Sequence, residues 1–385
     1  MGNARGGALG DCLAAVLDKA GYNAWREFYV NDAGNQIEKF GCSLEARYLQ
    51  IFKGDKIEFP EDGYQGEDIK DLAKEYADLN GNSLVNVSAE ERKKALVDYA
   101  LPKNIKKMQA DMEKYKIFYD KWFFESELHK SGAVKAVVDL LTKKGLTYEK
   151  DGAVWYKNKE VLTQKLLKEG KSQKYIDNLE LKDDVLIRQN GNPTYFTADI
   201  AYHKNKFDRG FTTLIDVWGA DHHGHVMRMK GAMDAIGYDG DKLNVVLMQL
   251  VKLVKDGELV KMSKRTGKAI QLGDLLDEVP VDSARFLFNT KEANTQMDFD
   301  LDLAVSQDNQ NPVYYVQYAH ARICSIFKSL AKEGISPREC TDAELALLTA
   351  PEEKELINHL ASYTNEIISA AKDYDPTKVT RYVTQ

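Results

Sequence analysis

Cysteine is scarce and scattered. Cys12, Cys42, Cys324 and Cys340 are the four in 385 residues. None forms a C-x-x-C pair, so neither a disulfide framework nor a zinc knuckle is indicated, and a reducing cytoplasm is the expected compartment. Long apolar runs are also missing: no stretch approaches the ~18 residues of a membrane span, and the first residues lack a basic-then-apolar export signal. No period of 20 to 50 residues repeats and no low-complexity tract appears, which argues against a solenoid or a tail-like chain. Excess positive charge is absent as well. The formal net charge of −7 argues against a basic nucleic-acid coat while leaving room for a local basic patch.

What remains is ordinary globular sequence, 43% hydrophobic and 29% charged, long enough for two or three domains with their own cores. "MGNARGGALGDCLAAVLDKAGY" places Ala8, Leu9, Cys12, Leu13, Val16 and Leu17 on one helical stripe, with Gly21 suited to the stop. "WREFYVND" then reads as a short buried strand, so helix and strand form half of a βαβ unit whose first strand is not there. Residues 43–185 read as a mainly helical module whose Lys-rich faces are either solvated surface or a nucleic-acid-facing one, with a hairpin in "LTYEKDGAVWYKN" turning at Asp151-Gly152.

Strand-like runs return in 186–305, beginning with "DVLIRQN" and continuing through "TTLIDVWGAD" and "LNVVLMQLVKLVKDGELVKMS", with helical stretches between. Alternation of that kind predicts an α/β fold with a parallel, doubly wound sheet. The two α/β pieces, 1–42 and 186–305, are expected to form one sheet interrupted by the helical insertion. An α-helical region follows over 306–385, where "NPVYYVQYAHARICSIFKSL" carries Tyr315, Tyr318, Ala319, Arg322 and Ile323 at helix spacing.

Against the acidic total, "ELVKMSKRTGKAI" puts Lys261, Lys264, Arg265 and Lys268 within eight positions without an acid. Asp256-Gly257 makes a tight turn just before it, so the cluster emerges at the end of a returning strand. In open α/β sheets ligands sit beyond the carboxyl ends of strands. Flexible ammonium groups beside Ser263 and Gly267 can follow a polyphosphate as its charge redistributes; a solvated basic hairpin tip is the alternative. "WGADHHGH" is another such strand-end loop. Its Asp221, His222, His223 and His225 look like the start of a metal cluster, but no H-E-x-x-H or comparable second half accompanies them, and no metal site is expected. In "NDAGNQ", residues 31–36, Asn31, Asp32 and Gly34 suit either a plain turn or the wall of a pocket.

"KMSKRTG" resembles the KMSKS signature of class I aminoacyl-tRNA synthetases, and "MGNARGGALGD" resembles the part of their HIGH signature after its first histidine, with Gly2 and Asn3 at the positions of the glycine and second histidine. "REFYVNDAGNQIEKF", "YFTADIAYHKNKF", "WGADHHGHVMRMKGAMDAIGY", "VKMSKRTGKAIQLGDLLDEV" and "NPVYYVQYAHARICSI" resemble, in order, the bacterial arginyl-tRNA synthetases. The resemblance covers essentially the whole chain. It implies a Rossmann-like catalytic domain followed by a helical anticodon-binding domain. It also implies arginine activation by ATP with Mg²⁺, both as substrates rather than tightly bound cofactors, and transfer to tRNA(Arg) without a covalent enzyme intermediate. The family requires bound tRNA for the first step. A monomer in the cytoplasm is expected.

By position, the resemblance makes Lys264 the transition-state contact, assisted by Lys261 and Ser263. It assigns Gly2, Asn3, Gly219, Asp221, His222 and Met262 to ATP, with Asp221 alternatively orienting its loop. Tyr195 and Asp199, four apart in "PTYFTADIAY" and so on one face of a helix, match contacts to substrate arginine, whose guanidinium demands carboxylates and planar partners. The next family contact, often a glutamine, falls at Arg228. A cation facing substrate arginine is unfavourable, so Arg228 either points elsewhere or pairs with a carboxylate. The family's first strand, its first signature histidine and an N-terminal tRNA-contacting domain all fall before Met1, and the helical domain stops before completion. The expectation is therefore a catalytic core truncated at both ends that aminoacylates poorly alone. Its rivals are a non-catalytic tRNA-binding relic, with strongly salt-dependent binding, and a metal-dependent hydrolase. Arginine-dependent pyrophosphate exchange with tRNA present measures the difference.

Overall fold

The computed structural model describes residues 2–260 and 271–385. Helix α1 (Gly2–Lys19) opens the chain and buries Ala8, Leu9, Leu13 and Val16 of the predicted stripe. Gly21, at φ 93°, then takes a backbone conformation that costs other residues a Cβ clash. Strand β1 (Glu27–Val30) leads into α2 (Gly34–Lys53), α3 (Glu67–Asn80) and α4 (Ala89–Lys114). These three helices close over one apolar cluster that includes Leu44, Tyr48, Ala73 and Leu96. Ser88 caps α4 by accepting from the Glu91 N–H.

The next strand, β2 (Lys121–Phe124), lies inside the stretch that reads as mainly helical, yet it pairs in parallel with β1, Val30 opposite Phe124. Its carboxyl end passes straight into α5 (Glu125–Lys130), then α6 (Ala133–Lys143). The predicted hairpin follows as β3 (Thr147–Lys150) and β4 (Ala153–Tyr156), turning through Asp151 and Gly152 at φ 54° and 72°. Helices α7 (Asn158–Lys168) and α8 (Gln173–Asp177) lead to β5 (Asp184–Ile187). Here the sequence reading needs correcting. The "DVLIRQN" strand does not join a parallel sheet; it lies antiparallel on β4 as the third strand of the hairpin's own sheet. A four-residue apolar run carries no sign of strand direction, which tertiary contacts decided.

Then come α9 (Tyr195–Asp208), β6 (Leu214–Gly219), α10 (His223–Ile236) and β7 (Leu243–Met248), with β6 and β7 parallel. Strands β8 (Val251–Lys255) and β9 (Glu258–Leu259) form a two-residue hairpin through Asp256 and Gly257, at φ 52° and 75°, as predicted. Helices α11 (Leu272–Glu278) and α12 (Val281–Phe288) precede β10 (Met297–Asp300), which pairs in parallel with β8. The remainder is helical: α13 (Leu301–Val305), α14 (Pro312–Lys332), α15 (Asp342–Leu345), α16 (Pro351–Lys372) and α17 (Thr377–Thr384).

The single sheet expected of the two α/β pieces is also corrected. Among the described residues β1–β2 and β6–β7 remain two separate parallel pairs. Strands β1 and β6 line a common cleft of about 1640 Å³, and no described strand lies between them to supply the intervening ladder. Helix α9 ties the pairs together instead. Its Tyr202 hydroxyl donates to Glu27 Oε1 of β1 (2.8 Å), and its His203 Nε2 meets Asp216 Oδ2 of β6 (2.5 Å).

On the side of α1, Arg5 does comparable work. It is completely buried and meets no carboxylate; Nη1 donates to the carbonyls of Thr295 (2.9 Å) and Gln249 (3.4 Å), and Nη2 to those of Glu292 (2.8 Å) and Lys291 (3.0 Å). The planar guanidinium fork reaches all four, whereas an ammonium has three donors on one atom. Arg5→Met should lower stability by about 3 kcal/mol, because buried carbonyls lose a charged donor, and Arg5→Lys by less. Urea unfolding followed by far-ultraviolet dichroism measures both; equal midpoints for the three proteins would show that the cage contributes nothing.

Candidate active site

Helix α9 is anchored at its start by two hydroxyls that donate to carbonyls of β5. Thr194 Oγ1 donates to the Val185 carbonyl (2.7 Å) and Thr197 Oγ1 to that of Leu186 (2.8 Å), fixing α9 against β5. Two turns on, Asp216 holds the helix to β6: Lys206 Nζ donates to Asp216 Oδ1 (2.7 Å) while His203 faces its other oxygen. Burial opposes charge on Asp216, but the Lys206 cation and His203 outweigh it and hold the carboxyl well below its usual range. A helix so pinned gives Asp199, midway along it, little freedom.

Asp199 Oδ2 is 3.0 Å from His225 Nε2 on α10, and His225 Nδ1 is 2.9 Å from Arg228 Nη2. Arg228 also pairs with Asp184 of β5, Nη1 to Oδ1 at 3.0 Å, and lies over the Phe196 ring at 5.2 Å. Burial pushes the Asp184 carboxyl up, with Arg228 pulling in the opposite sense. On the facing side, parallel pairing of β1 with β2 sets Val30 against Phe124, so the residues that follow both strands meet. Asn31, with its amide oriented to satisfy both neighbours, donates to Glu125 Oε2 (3.2 Å), and Asp32 Oδ1 accepts from the Ser126 N–H (2.8 Å).

Glu125 is buried, and burial raises its carboxyl, with the charge of Asp199 adding to the effect. Tyr29 is affected in the same way: burial first, then the charges of Glu125 and Asp199, push its phenol far above the usual range, and its hydroxyl lies near Glu125 without completing a well-formed hydrogen bond. Among the described residues neither Glu125 nor Asp199 has a lysine or arginine partner; each has one histidine, His129 at 3.4 Å and His225 at 3.0 Å. Half-desolvated carboxylates beside an orphaned hydroxyl make a receptor for an external cation that brings several hydrogen-bond donors.

The large cleft adjoins this receptor. Ala4, Gly6 and Gly7 of α1, Asp199, Gly219, Asp221, His222, His225 and the Met248–Leu250 turn all line it. Gly2 and Asn3 form the first turn of α1. Gly219 ends β6, where an added Cβ would lie 2.5 Å from the Asp221 carboxylate. The Asp221 and His222 side chains are exposed, 84% and 55%. Tyr195 and Asp199 do share a face of α9 and both approach His225, but Tyr195 is 62% exposed and off the cleft wall, its hydroxyl 3.5 Å from Arg228. Lys261, Met262, Ser263 and Lys264 lie outside the described residues, as do Arg265 and Lys268. No group of three or more His, Cys, Asp or Glu among the described residues is placed to hold a metal ion, and no described helix is long and apolar enough to cross a membrane.

Residues 1–324 match the family described as tRNA synthetases class I (R), catalytic domain. The chain belongs to the arginyl-tRNA synthetase family. Residues 316–385 match the DALR anticodon binding domain. The curated arginine–tRNA ligase of Ruminiclostridium cellulolyticum is 55% identical over 385 residues, all of this chain and 65% of that protein. That of Caldanaerobacter subterraneus subsp. tengcongensis is 56% identical over 384 residues, again 65% of its length. The chain thus spans about two thirds of the curated relatives' length. The crystal structure of a putative arginyl-tRNA synthetase from Campylobacter jejuni superposes with TM-score 0.81 at 34% identity, covering all of this chain and 79% of that one.

The structure places Glu125, Tyr29 and Asp184, none singled out by sequence reasoning, beside Asp199 and Arg228, which were. A signal existed for Glu125: "KWFFES" ends an aromatic run on an acid, and the carboxyl end of a parallel strand is where ligands are met. Reading that run as part of a helical insertion hid it. For Asp216, the depressed carboxyl fixes the sign of a pH effect. Its folded value lies below the unfolded one, near 3.9, so its contribution is complete above that value and is lost as pH falls toward the folded value. Asp216→Asn should therefore cost about 3 kcal/mol at pH 7, leaving Lys206 buried without its partner, and less in acid. Thermal unfolding across pH 3 to 7 tests this; parallel curves for the two proteins would count against it.

Proposed function

We propose that this chain carries the catalytic region of an arginine–tRNA ligase, activating arginine with ATP and Mg²⁺ as substrates and passing the arginyl group to tRNA(Arg), in the cytoplasm and as a monomer. The observation that carries the reading is the pair of carboxylates, Glu125 and Asp199, which among the described residues face one histidine each and no lysine or arginine, beside the Tyr29 hydroxyl. A guanidinium is planar, permanently charged and rich in donors, and so matches a receptor that offers acceptors on two sides. In this reading Asp199 takes the guanidinium, Tyr195 borders its outer edge, and Glu125 supplies the second acceptor.

The nucleotide belongs in the adjoining cleft. Gly2 and Asn3 at the start of α1 face its phosphates, where helix N–H groups are unpaired; Gly219, Asp221, His222 and Met262 take its adenosine side. Attack of the arginine carboxylate on the α-phosphorus forms the aminoacyl adenylate and breaks the bond to pyrophosphate, whose negative charge grows as it departs. Lys264, with Lys261 and Ser263, meets that charge. Alignment and charge stabilisation then account for the catalysis without a covalent enzyme intermediate. We place the catalytic domain over 1–42 and 186–305, joined by β2 and Glu125 from within the 43–185 insertion, and the anticodon-binding part from 306.

Binding separates this reading from its rivals without requiring turnover. Arginine should bind the chain in calorimetry and citrulline, its neutral isostere, should not. Asp199→Asn should weaken arginine by about a hundredfold, the order expected on removing one member of a desolvated, hydrogen-bonded charge pair. Equal affinity for the two amino acids would overturn the assignment. In arginine-dependent pyrophosphate exchange with tRNA present, Lys264→Ala should depress kcat while leaving the KM for arginine nearly unchanged, since its contact is made in the transition state.

A further inference from the structure

Arg228 puts a cation beside a pocket that we have read as a guanidinium receptor, and the hydrogen-bond directions explain how the two coexist. Arginine has five N–H donors and no acceptor. Its Nη2 lies 2.9 Å from His225 Nδ1, so Nδ1 must present its lone pair. The imidazole proton is thereby placed on Nε2, 3.0 Å from Asp199 Oδ2, to which it donates. We infer that Arg228 is a positioning residue that locks His225 as the neutral Nε2–H tautomer, so that the histidine orients Asp199 without cancelling its charge.

Every neighbour of the ring fits this assignment. Tyr195 and Phe196 of α9, Trp218 of β6 and His222 surround it, with centroids at 5.8, 5.6, 5.3 and 6.4 Å. None of these four offers an anion to a second ring proton. The charged groups on the ring nitrogens are Asp199 and Arg228, backed respectively by Glu125 and Asp184. An imidazolium would set Nδ1–H against the guanidinium N–H groups and place a positive charge beside Asp199. Arg228 opposes the first directly, since its N–H groups occupy the Nδ1 lone pair, and its charge counters the pull of the Asp199 and Asp184 carboxylates on the ring; Asp184 holds it in place. The cation thus preserves the negative charge of the pocket. The inference rests on the guanidinium reading for its purpose, but the tautomer is measurable without it.

The test uses ¹⁵N spectra of the histidine rings, with His225 assigned by comparison with His225→Asn, together with calorimetric arginine binding at pH 8 and pH 5.5. In the unaltered protein Nδ1 should show the unprotonated resonance at both pH values, and arginine affinity should change by less than about threefold. Arg228→Met combined with Asp184→Asn removes the lock without leaving a buried carboxylate. Its ring should acquire the second proton at pH 5.5, because the Asp199 carboxylate then faces it with no cation opposing, and its arginine affinity should fall at least about tenfold between the two pH values, equivalent to ~1.4 kcal/mol. A proton on Nδ1 in the unaltered protein at pH 8 would overturn the proposal, as would a double variant whose ring and pH profile match it. If the rings behave as expected while no form binds arginine, the lock stands and the functional reading falls.

Discussion

A fully buried cation with no anion beside it, Arg5, sets the geometry of the nucleotide side of this fold. Its four acceptors come from two segments: Gln249, two residues before β8, and the Lys291, Glu292 and Thr295 carbonyls that precede β10. Strands β8 and β10 are neighbours, and β8 turns through Asp256-Gly257 toward the basic cluster. One side chain therefore fixes the start of α1 relative to the sheet from which residues 261–270 depart. Carbonyl dipoles suit this task better than a carboxylate would. They satisfy the guanidinium without adding a negative charge near a cleft that we assign to a polyphosphate.

Opposite electrostatics govern the other wall. Around α9, carboxylates outnumber the cations that can neutralise them, and the available cations are committed elsewhere: Lys206 to Asp216, Arg209 to Glu27, Arg228 to Asp184. Each commitment also joins two elements, α9 to β6, α9 to β1 and α10 to β5. Structural ion pairing and pocket acidity are thus the same fact seen twice, because every basic group used to hold the scaffold is one withheld from Glu125 and Asp199. A buried salt bridge is weak evidence for stability by itself, but here the pairs also determine which carboxylates remain available.

Local signals in the sequence were reliable where the chain alone determines the outcome. Both Asp-Gly hairpins formed with left-handed turn residues, α1 ended at Gly21, and Tyr195 and Asp199 fell on one helical face. Strand partnership was less legible. Two short runs, "KWFF" and "DVLI", joined sheets that their positions did not predict, β2 to β1 and β5 to β4, since four residues specify neither direction nor neighbour. The same blindness concealed half the acidic site. Glu125 becomes a pocket residue only once Val30 is known to oppose Phe124, and Arg228 could be recognised as paired only once β5 had brought Asp184 to it.

On the proposed reading, His225 gives the guanidinium-binding Asp199 a neutral escort. A lysine or arginine bonded directly to Asp199 would orient it equally well, yet would cancel the charge that attracts the ligand; a bare carboxylate would keep its charge but rotate. A neutral imidazole N–H fixes one oxygen at little electrostatic expense and leaves the other free. In the proposed arrangement the guanidinium of Arg228 occupies the other ring nitrogen, which leaves the Nε2–H to face Asp199. The aromatic surround of Tyr195, Phe196 and Trp218 completes the arrangement, since it holds the ring plane while offering no acceptor that would favour the other tautomer. An arginine beside the pocket we assign to a guanidinium thus ceases to be a contradiction once its hydrogen bonds are traced outward rather than its charge simply counted.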